Sequence, residues 1–262
     1  MKADLHNHSY YSDGSLSPSE VVSIASNAGC DIFALTDHDT TKGLYEAQQM
    51  ANKLSLQFIK GVEISSSWSN VGVHILGLDI DDSSDILTKG LEYNQSLRLE
   101  RAQKIAKELT KVGIVDAFNK TRALAEQDYL TRMHFAQMLV KEGYCKDVKA
   151  VFKRFLTDKK PGAVKVQWPD FKDVISWIHS AGGLAVIAHP LRYSMANTKI
   201  RKMFYEFKDA GVDGVEVVTA NTTKEQINLV SKWALDLNLM ASCGSDFHGW
   251  GNRHIKIANL AK

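Results

Sequence analysis

Nine histidines occur in the 262 residues, and seven of them stand in or beside short clusters of metal-ligating residue types. Asp4-Leu-His6-Asn-His8 opens the chain, and Asp37-His38-Asp39, Glu63, His74, Arg132-Met-His134, His189-Pro190 and Asp246-Phe-His248 follow. An H-x-H or D-x-H spacing behind an apolar run sets side chains i and i+2 on one face of a strand. Neutral imidazoles and carboxylates converging in that way suit zinc, manganese or iron. Two divalent ions about 3.5–4 Å apart clamp the attacking and departing oxygens of a displacement and lower the pKa of a bound water. Hydrolysis is the chemistry such a site would perform.

Each piece taken alone has a plainer reading. A single H-x-H pair packs or sits on a surface, Asp37-His38-Asp39-Thr40 fits a helix-capping turn, and His189-Pro190 fits a strand-ending turn. Their joint occurrence at successive strand ends favours the metal site. His179, inside the helical pattern Val174-Ile-Ser-Trp-Ile178, and His254 read as structural. Gly61 and Gly244 read as turn glycines beside strands, and no G-x-x-x-x-G-K-[ST] phosphate loop occurs. Trp68, Trp168, Phe247 and Trp250 read as packing rather than as base-stacking platforms.

The elements that must position these residues follow from apolar periodicity. Runs such as Ile32-Phe-Ala-Leu35 and Leu184-Ala-Val-Ile187 place strands at 2–8, 31–37, 57–64, 71–80, 183–189, 212–219 and 239–246. Helical patterns fit 18–28, 41–54, 171–181, 198–210 and 224–237, with Pro18 after Ser17 as a start signal and Gly29, Gly182 and Gly211 as stops. Strands alternating with helices imply a parallel α/β barrel, whose functional residues gather at the carboxyl ends of the strands. The alternation breaks between Leu91 and Val164, where helices are expected at 84–112, 116–126, 131–142 and 147–157. The expected organisation is a barrel of residues 1–90 and 165–262, with a helical insertion at 91–164 capping the site.

A chain of this length can be one large α/β domain, and 44% hydrophobic with 24% charged residues is ordinary for a globular protein. Net charge is only +2 but unevenly placed: residues 94–165 carry 16 Lys and Arg against 8 Asp and Glu, the rest of the chain 16 against 22. A basic segment beside an acidic metal core attracts phosphate-rich ligands, although a solvated basic helix face reads equally well from charge alone. Three scattered cysteines without a C-x-x-C pair, no leader pattern and no long apolar run point to a cytoplasmic protein with no membrane partner.

Together, Asp4-Leu-His6-Asn-His8-Ser9, Ser12-Asp13-Gly14, Leu35-Thr-Asp37-His38-Asp39, Gly61-Val-Glu63, His74, Ala188-His189-Pro190 and Gly244-Ser-Asp246-Phe-His248 resemble the PHP (polymerase and histidinol phosphatase) phosphoesterases across the whole chain. The resemblance implies a distorted (β/α)7 barrel holding two or three divalent ions, most often manganese, with iron or zinc as alternatives. By that resemblance His6, His8, Glu63 and Asp246 would hold one ion, Glu63, His74 and His189 a second, and Asp13, His38 and His248 a third.

The helical insert, Thr131-Arg132-Met-His134 and His189-Pro-Leu-Arg192 are most similar to the stand-alone bacterial branch. There the implied activities are removal of the 3′-phosphate from 3′,5′-nucleoside bisphosphates and 5′-to-3′ trimming of short oligonucleotides. Arg132 and Arg192 would bind phosphate through planar guanidinium groups. His134 would contact phosphate or deliver a proton, and Asp37 would act beside His38, orienting a neighbour more readily than transferring a proton. A small-metabolite phosphatase acting on histidinol phosphate and a non-catalytic, metal-stabilised nucleic-acid-binding module are the competing readings. An amide or ester hydrolase would be expected to carry a metal-bridging lysine at a strand end, and none stands in a matching place. No obligate protein partner is evident.

Overall fold

The computed structural model describes residues 1–125, 130–249 and 257. Trp250 and His254 lie outside them. Strand β1 (Ala3–Asp4) leads to helix α1 (Pro18–Asn27), which starts where the Ser17 hydroxyl accepts from the Glu20 N–H while the Glu20 carboxylate accepts from the Ser17 N–H. Proline at the first helical position has its φ already set for the helix. Next come β2 (Ile32–Leu35), α2 (Leu44–Lys53), β3 (Gln57–Trp68) and β4 (Val71–Leu78). Helices α3 (Asp85–Thr110), α4 (Ala117–Arg122), α5 (Arg132–Lys141) and α6 (Val148–Val151) follow, and a π-helical turn covers Phe152–Leu156. The chain returns through α7 (Phe171–Ser180), β5 (Leu184–Ile187), α8 (Asn197–Asp209), β6 (Gly214–Thr219), α9 (Lys224–Asp236) and β7 (Met240–Gly244).

Among the described residues, seven strands form one sheet in sequence order. It closes on itself where the Leu5 N–H donates to the Cys243 carbonyl at 3.0 Å and Asn7 bridges Phe247. The expected all-parallel alternation is corrected at β4, which pairs antiparallel with both β3 and β5. The cause is local: Ser69 and Asn70 both take left-handed backbone (φ 46° and 61°), the two-residue turn whose twist suits a hairpin. No crossover helix is then needed. β3 also runs four residues beyond its expected end, to Trp68.

Alternation along the strands sorts two apolar layers. Phe33 and Leu35 join Val22, Ala47, Ile64, Ile187, Phe204 and Phe207 between the sheet and its helices. Ala34 points the other way, with Leu76, Leu78, Val186 and Ala188 filling the barrel interior. A third cluster, built around Ile105, Leu109, Phe135, Leu139 and Val151, belongs to the helices of the 85–156 stretch. Helix α3 serves two layers, since Leu87 and Leu91 pack with the barrel while Ala102, Ile105 and Leu109 pack with the inserted helices. The expected boundary between residues 90 and 91 thus falls inside one helix.

Candidate metal centre

His6 and His8 lie just past β1 with both rings fully buried and their Nε2 atoms 3.1 Å apart. Glu63, from β3, brings Oε2 to 3.1 Å from His6 Nε2 and 3.2 Å from His8 Nε2. Asp246, two residues beyond β7, sets Oδ1 3.0 Å from His8 Nε2 and 3.4 Å from His6 Nε2. Around the same Glu63 carboxylate, Oε1 meets His74 Nδ1 at 2.8 Å and His189 Nε2 at 2.9 Å, and Oε2 meets His38 Nδ1 at 3.0 Å. Asp13 Oδ1 stands 3.1 Å from His248 Nε2 and 3.9 Å from His38 Nε2. His74 reaches this end of the barrel only because β4 runs against its neighbours.

Among the described residues, three sets bring one ligand atom per residue within 4.8 Å of one another: His6, His8, Glu63 and Asp246; His38, Glu63 and His74; and His8, Asp13, His38 and His248. The first is the set that the resemblance implied. In the others His38 stands with Glu63 and His74 as well as with Asp13, because an imidazole offers nitrogens on two edges, and His8 joins the Asp13 set. His189 touches Glu63 but belongs to none of the three. The donor sets fit divalent ions: Asp13 Oδ1, His38 Nδ1 and Glu63 Oε2 are buried and crowded by one another or by ring nitrogens, yet none makes a well-aligned hydrogen bond, a costly arrangement unless a cation satisfies them.

The electrostatics are those of a carboxylate core drawing positive charge. Burial alone would favour the neutral forms, but His38, His6 and His74 hold Glu63 well below the usual carboxylate range, and His6, His248 and His8 do the same for Asp246. In return, burial is outweighed at His248, where Asp13 and Asp246 raise the imidazole to about 10. At His38 burial prevails over Glu63 and Asp13 and lowers it to about 3. Bound cations compete with those protons.

A supporting layer fixes the rings. Glu216 on β6 holds His6 Nδ1 at 3.0 Å through Oε1 and accepts the His189 N–H at 2.6 Å through Oε2. This leaves His6 Nε2 facing the carboxylates, the arrangement that orients a metal-bound imidazole. Tyr193 accepts the His74 N–H at 2.8 Å and donates to the Ala188 carbonyl at 3.1 Å. Asp39 accepts from the Ser65 N–H and hydroxyl, from Asn94 and from Arg98 Nε at 2.6 Å, tying the end of β2 to β3 and α3. Gly244 is corrected from a turn residue to a close-approach residue inside β7: a Cβ there would lie 2.2 Å from the His6 Cβ and 2.7 Å from Glu216 Oε1. Backbone at Asp39, His189 and Asp246 is left-handed (φ 50°, 28° and 55°), a strain that concentrates at built sites.

The remaining expected residues divide. Asp37 is buried behind the centre, its carboxylate accepting from the Ser9 N–H and hydroxyl and the Ser12 hydroxyl. His134 is the third residue of α5, and its Nδ1 accepts the Thr131 N–H at 3.1 Å, completing the helix cap. Burial lowers its pKa, which leaves a neutral ring whose Nε2 carries the proton. Arg132 is exposed at the first position of α5, on the wall of the larger cavity, and meets no acceptor among the described residues. Arg192 pairs through Nη1 with Asp246 Oδ2. Trp68 is buried, with Nε1 donating to Glu206, and Phe247 is core, whereas the Arg98 guanidinium lies 5.0 Å from the Trp168 ring centroid. His179 forms a surface pair with Asp213.

Two cavities meet the centre. The larger, about 610 Å³, has Asp13, His38 and His74 at one end and Arg98, Arg101 and Arg132 on its walls. The smaller, about 290 Å³, begins at His189, Arg192 and Glu216 and is bounded by the turn between β6 and α9. Sequence reasoning missed Glu216 and Arg98. A lone carboxylate in the apolar run Gly214-Val-Glu216-Val-Val218 was a legible signal for the first, but nothing local marks Arg98.

Comparison with known proteins bears on what this geometry serves. The PHP domain model matches residues 4–183. The chain is 42% identical over 252 residues to a 5′-3′ exoribonuclease of Haemophilus influenzae, covering 95% of this chain and 92% of that one. It is 41% identical over 255 residues to a 3′,5′-nucleoside bisphosphate phosphatase of Chromobacterium violaceum, covering 96% and 90%. A solved structure described as an amidohydrolase from Chromobacterium violaceum, with bound sulfate and no metal, superposes with a TM-score of 0.94 at 39% identity, covering 100% and 92% of the two chains.

Proposed function

The chain belongs to the PHP domain family and is a phosphoester hydrolase, and on that premise we propose that it removes the 3′-phosphate from 3′,5′-nucleoside bisphosphates and trims short oligonucleotides 5′ to 3′. The observation that carries this reading is the larger cavity, which pairs an imidazole-carboxylate end with a wall of three arginines. A substrate with two phosphates placed apart satisfies both ends at once, whereas histidinol phosphate, with one phosphate, meets only one of them. Relatives named for these two activities support the same choice.

His6, His8, Asp13, His38, Glu63, His74, His189, Asp246 and His248 would hold two or three divalent ions, manganese foremost and iron or zinc as alternatives. Such ions polarise a phosphoryl oxygen and supply a water of lowered pKa. The protein's own groups do the rest. Glu216 orients His6, and Asp37 braces the Ser9–Ser12 turn that leads to Asp13. Arg132, on the cavity wall with Arg98, presents its planar fork to the terminal 5′-phosphate. His134 donates from Nε2 to a phosphate oxygen; its neutral ring makes proton delivery to the leaving oxygen the weaker assignment. Arg192 contributes a second guanidinium on the other side of the centre. The helices of residues 91–164 cap the site and bring Arg98, Arg101 and Arg132 to it.

No helix among the described residues is long and apolar enough to cross a membrane. Three unpaired cysteines support a cytoplasmic setting, with nucleotides or short oligonucleotides as the partners. The test is turnover by the manganese-loaded protein of a 3′,5′-bisphosphate, a 5′-phosphorylated trinucleotide and histidinol phosphate. The first two should be hydrolysed and the third left largely untouched; preference for histidinol phosphate would overturn the assignment.

A further inference from the structure

We propose that the smaller cavity is a subsite for the second nucleotide of an oligonucleotide, the one that follows the phosphate being cleaved; this rests on the functional reading above. The chemistry of the two substrates differs at one atom. In both, hydrolysis breaks the P–O3′ bond of the first nucleotide, water gives its oxygen to phosphorus, and O3′ departs with a proton. The 3′-phosphate of a bisphosphate carries no further substituent. In an oligonucleotide the same phosphorus also bears the O5′ of the next nucleotide, so an enzyme that trims chains needs a second exit from its centre.

The geometry supplies one. His74 lines the larger cavity and His189 the smaller, their ring centroids are 5.4 Å apart, and both touch Glu63 Oε1. A phosphate lodged against that carboxylate's cations would extend one ester arm into each cavity. At about 290 Å³ the smaller space sits at the low edge of the roughly 300–1,000 Å³ that ligand pockets span, which suits one nucleoside and not a folded strand. Its lining matches that occupant. Pro190, Val217 and Val230 offer apolar surface to a base, Asn221 offers its amide to the base edge, and Gln226, whose Oε1 accepts the Thr223 N–H, offers its NH2. Arg192 turns one N–H to Asp246 and makes no other side-chain hydrogen bond among the described residues, leaving donors for the next phosphate along the chain.

Two variants test the subsite without touching the centre. Asn221 has φ 65°, so Asn221→Gly removes the amide from a turn that glycine adopts freely. Ala220→Trp fills the space from the same turn. For both, kcat/KM on a 5′-phosphorylated trinucleotide should fall about tenfold or more while the value for a 3′,5′-bisphosphate stays within about twofold. The Kd of a dinucleotide with an uncleavable linkage should rise in parallel. Equal losses on both substrates, or none on either, would overturn the subsite. Wild-type protein that hydrolyses the bisphosphate but no oligonucleotide would overturn it too, leaving the parent reading standing; turnover of neither would end both.

Discussion

Glu216 Oε1 lies 3.0 Å from His6 Nδ1, in a pair so buried that neither side chain meets solvent. The contact fixes which edge of the ring faces the carboxylates of Glu63 and Asp246. Glu216→Gln keeps the shape and removes the charge, and loss of such an outer partner typically weakens metal binding about 10- to 100-fold. Competition against a calibrated chelator measures it. Unchanged affinity would show that packing alone orients the ring.

Asp39 and Arg98 form a second buried relationship, with Arg98 Nη2 2.5 Å from Asp39 Oδ2. Removing one partner of a buried pair strands the other charge, so Asp39→Ala should cost about 3–5 kcal/mol in denaturant unfolding. Because Arg98 then loses its tie to the end of β2 and keeps only its Ser65 contact on β3, KM for a bisphosphate should rise as well. A stable variant with wild-type KM contradicts this role.

Metal loading should raise the melting temperature. A ligand bound only by the folded state, at about 1,000 times its Kd, adds about 4 kcal/mol. Calorimetric scans with manganese and after chelator treatment read the difference, and identical scans would count against any bound ion. Loading should also release protons, because His6, His8 and His248 are raised by the carboxylates they face.

In chelator, the pH dependence of stability has a definite sign. His248 is raised to about 10 from about 6.5 in an unfolded chain, so its protonated form stabilises the fold. That contribution is fully present below about pH 6.5 and is lost as pH rises through about 10. His38, lowered to about 3, acts oppositely: its contribution is present above about pH 6.5 and is lost as pH falls toward 3. The urea midpoint gap between wild type and His248→Asn should therefore shrink from pH 6 to 10, and a gap constant over that window would refute the His248 assignment.

Arg132→Ala should lower kcat/KM on a 3′,5′-bisphosphate about 10- to 100-fold, the worth of a hydrogen bond to a charged group. A substrate lacking the 5′-phosphate should be nearly indifferent. Arg132→Lys should recover only part, since an ammonium group cannot form the two parallel bonds of a guanidinium. Equal losses with and without the 5′-phosphate would move Arg132 away from that group.

What the sequence determined by itself is the inventory: which residues can ligate, and the strand and helix positions that carry them. His6 with His8, and Asp246 with His248, are legible because i and i+2 spacing is a local property. The helices at 85–110 and 132–141 lie within three residues of where apolar periodicity placed them, for the same reason. Tertiary structure alone decided the rest. It turned β4 against its neighbours, which carried His74 to the metal end, and it paired His6 with Glu216 across 210 residues and Asp39 with Arg98 across 59. It also gave Arg192 to Asp246 across 54 residues and made Gly244 necessary through the approach of His6. Such contacts depend on barrel closure, which no window of neighbouring residues encodes, so the histidines and carboxylates that gather at the centre could be read from the chain while their partners and the second cavity could not.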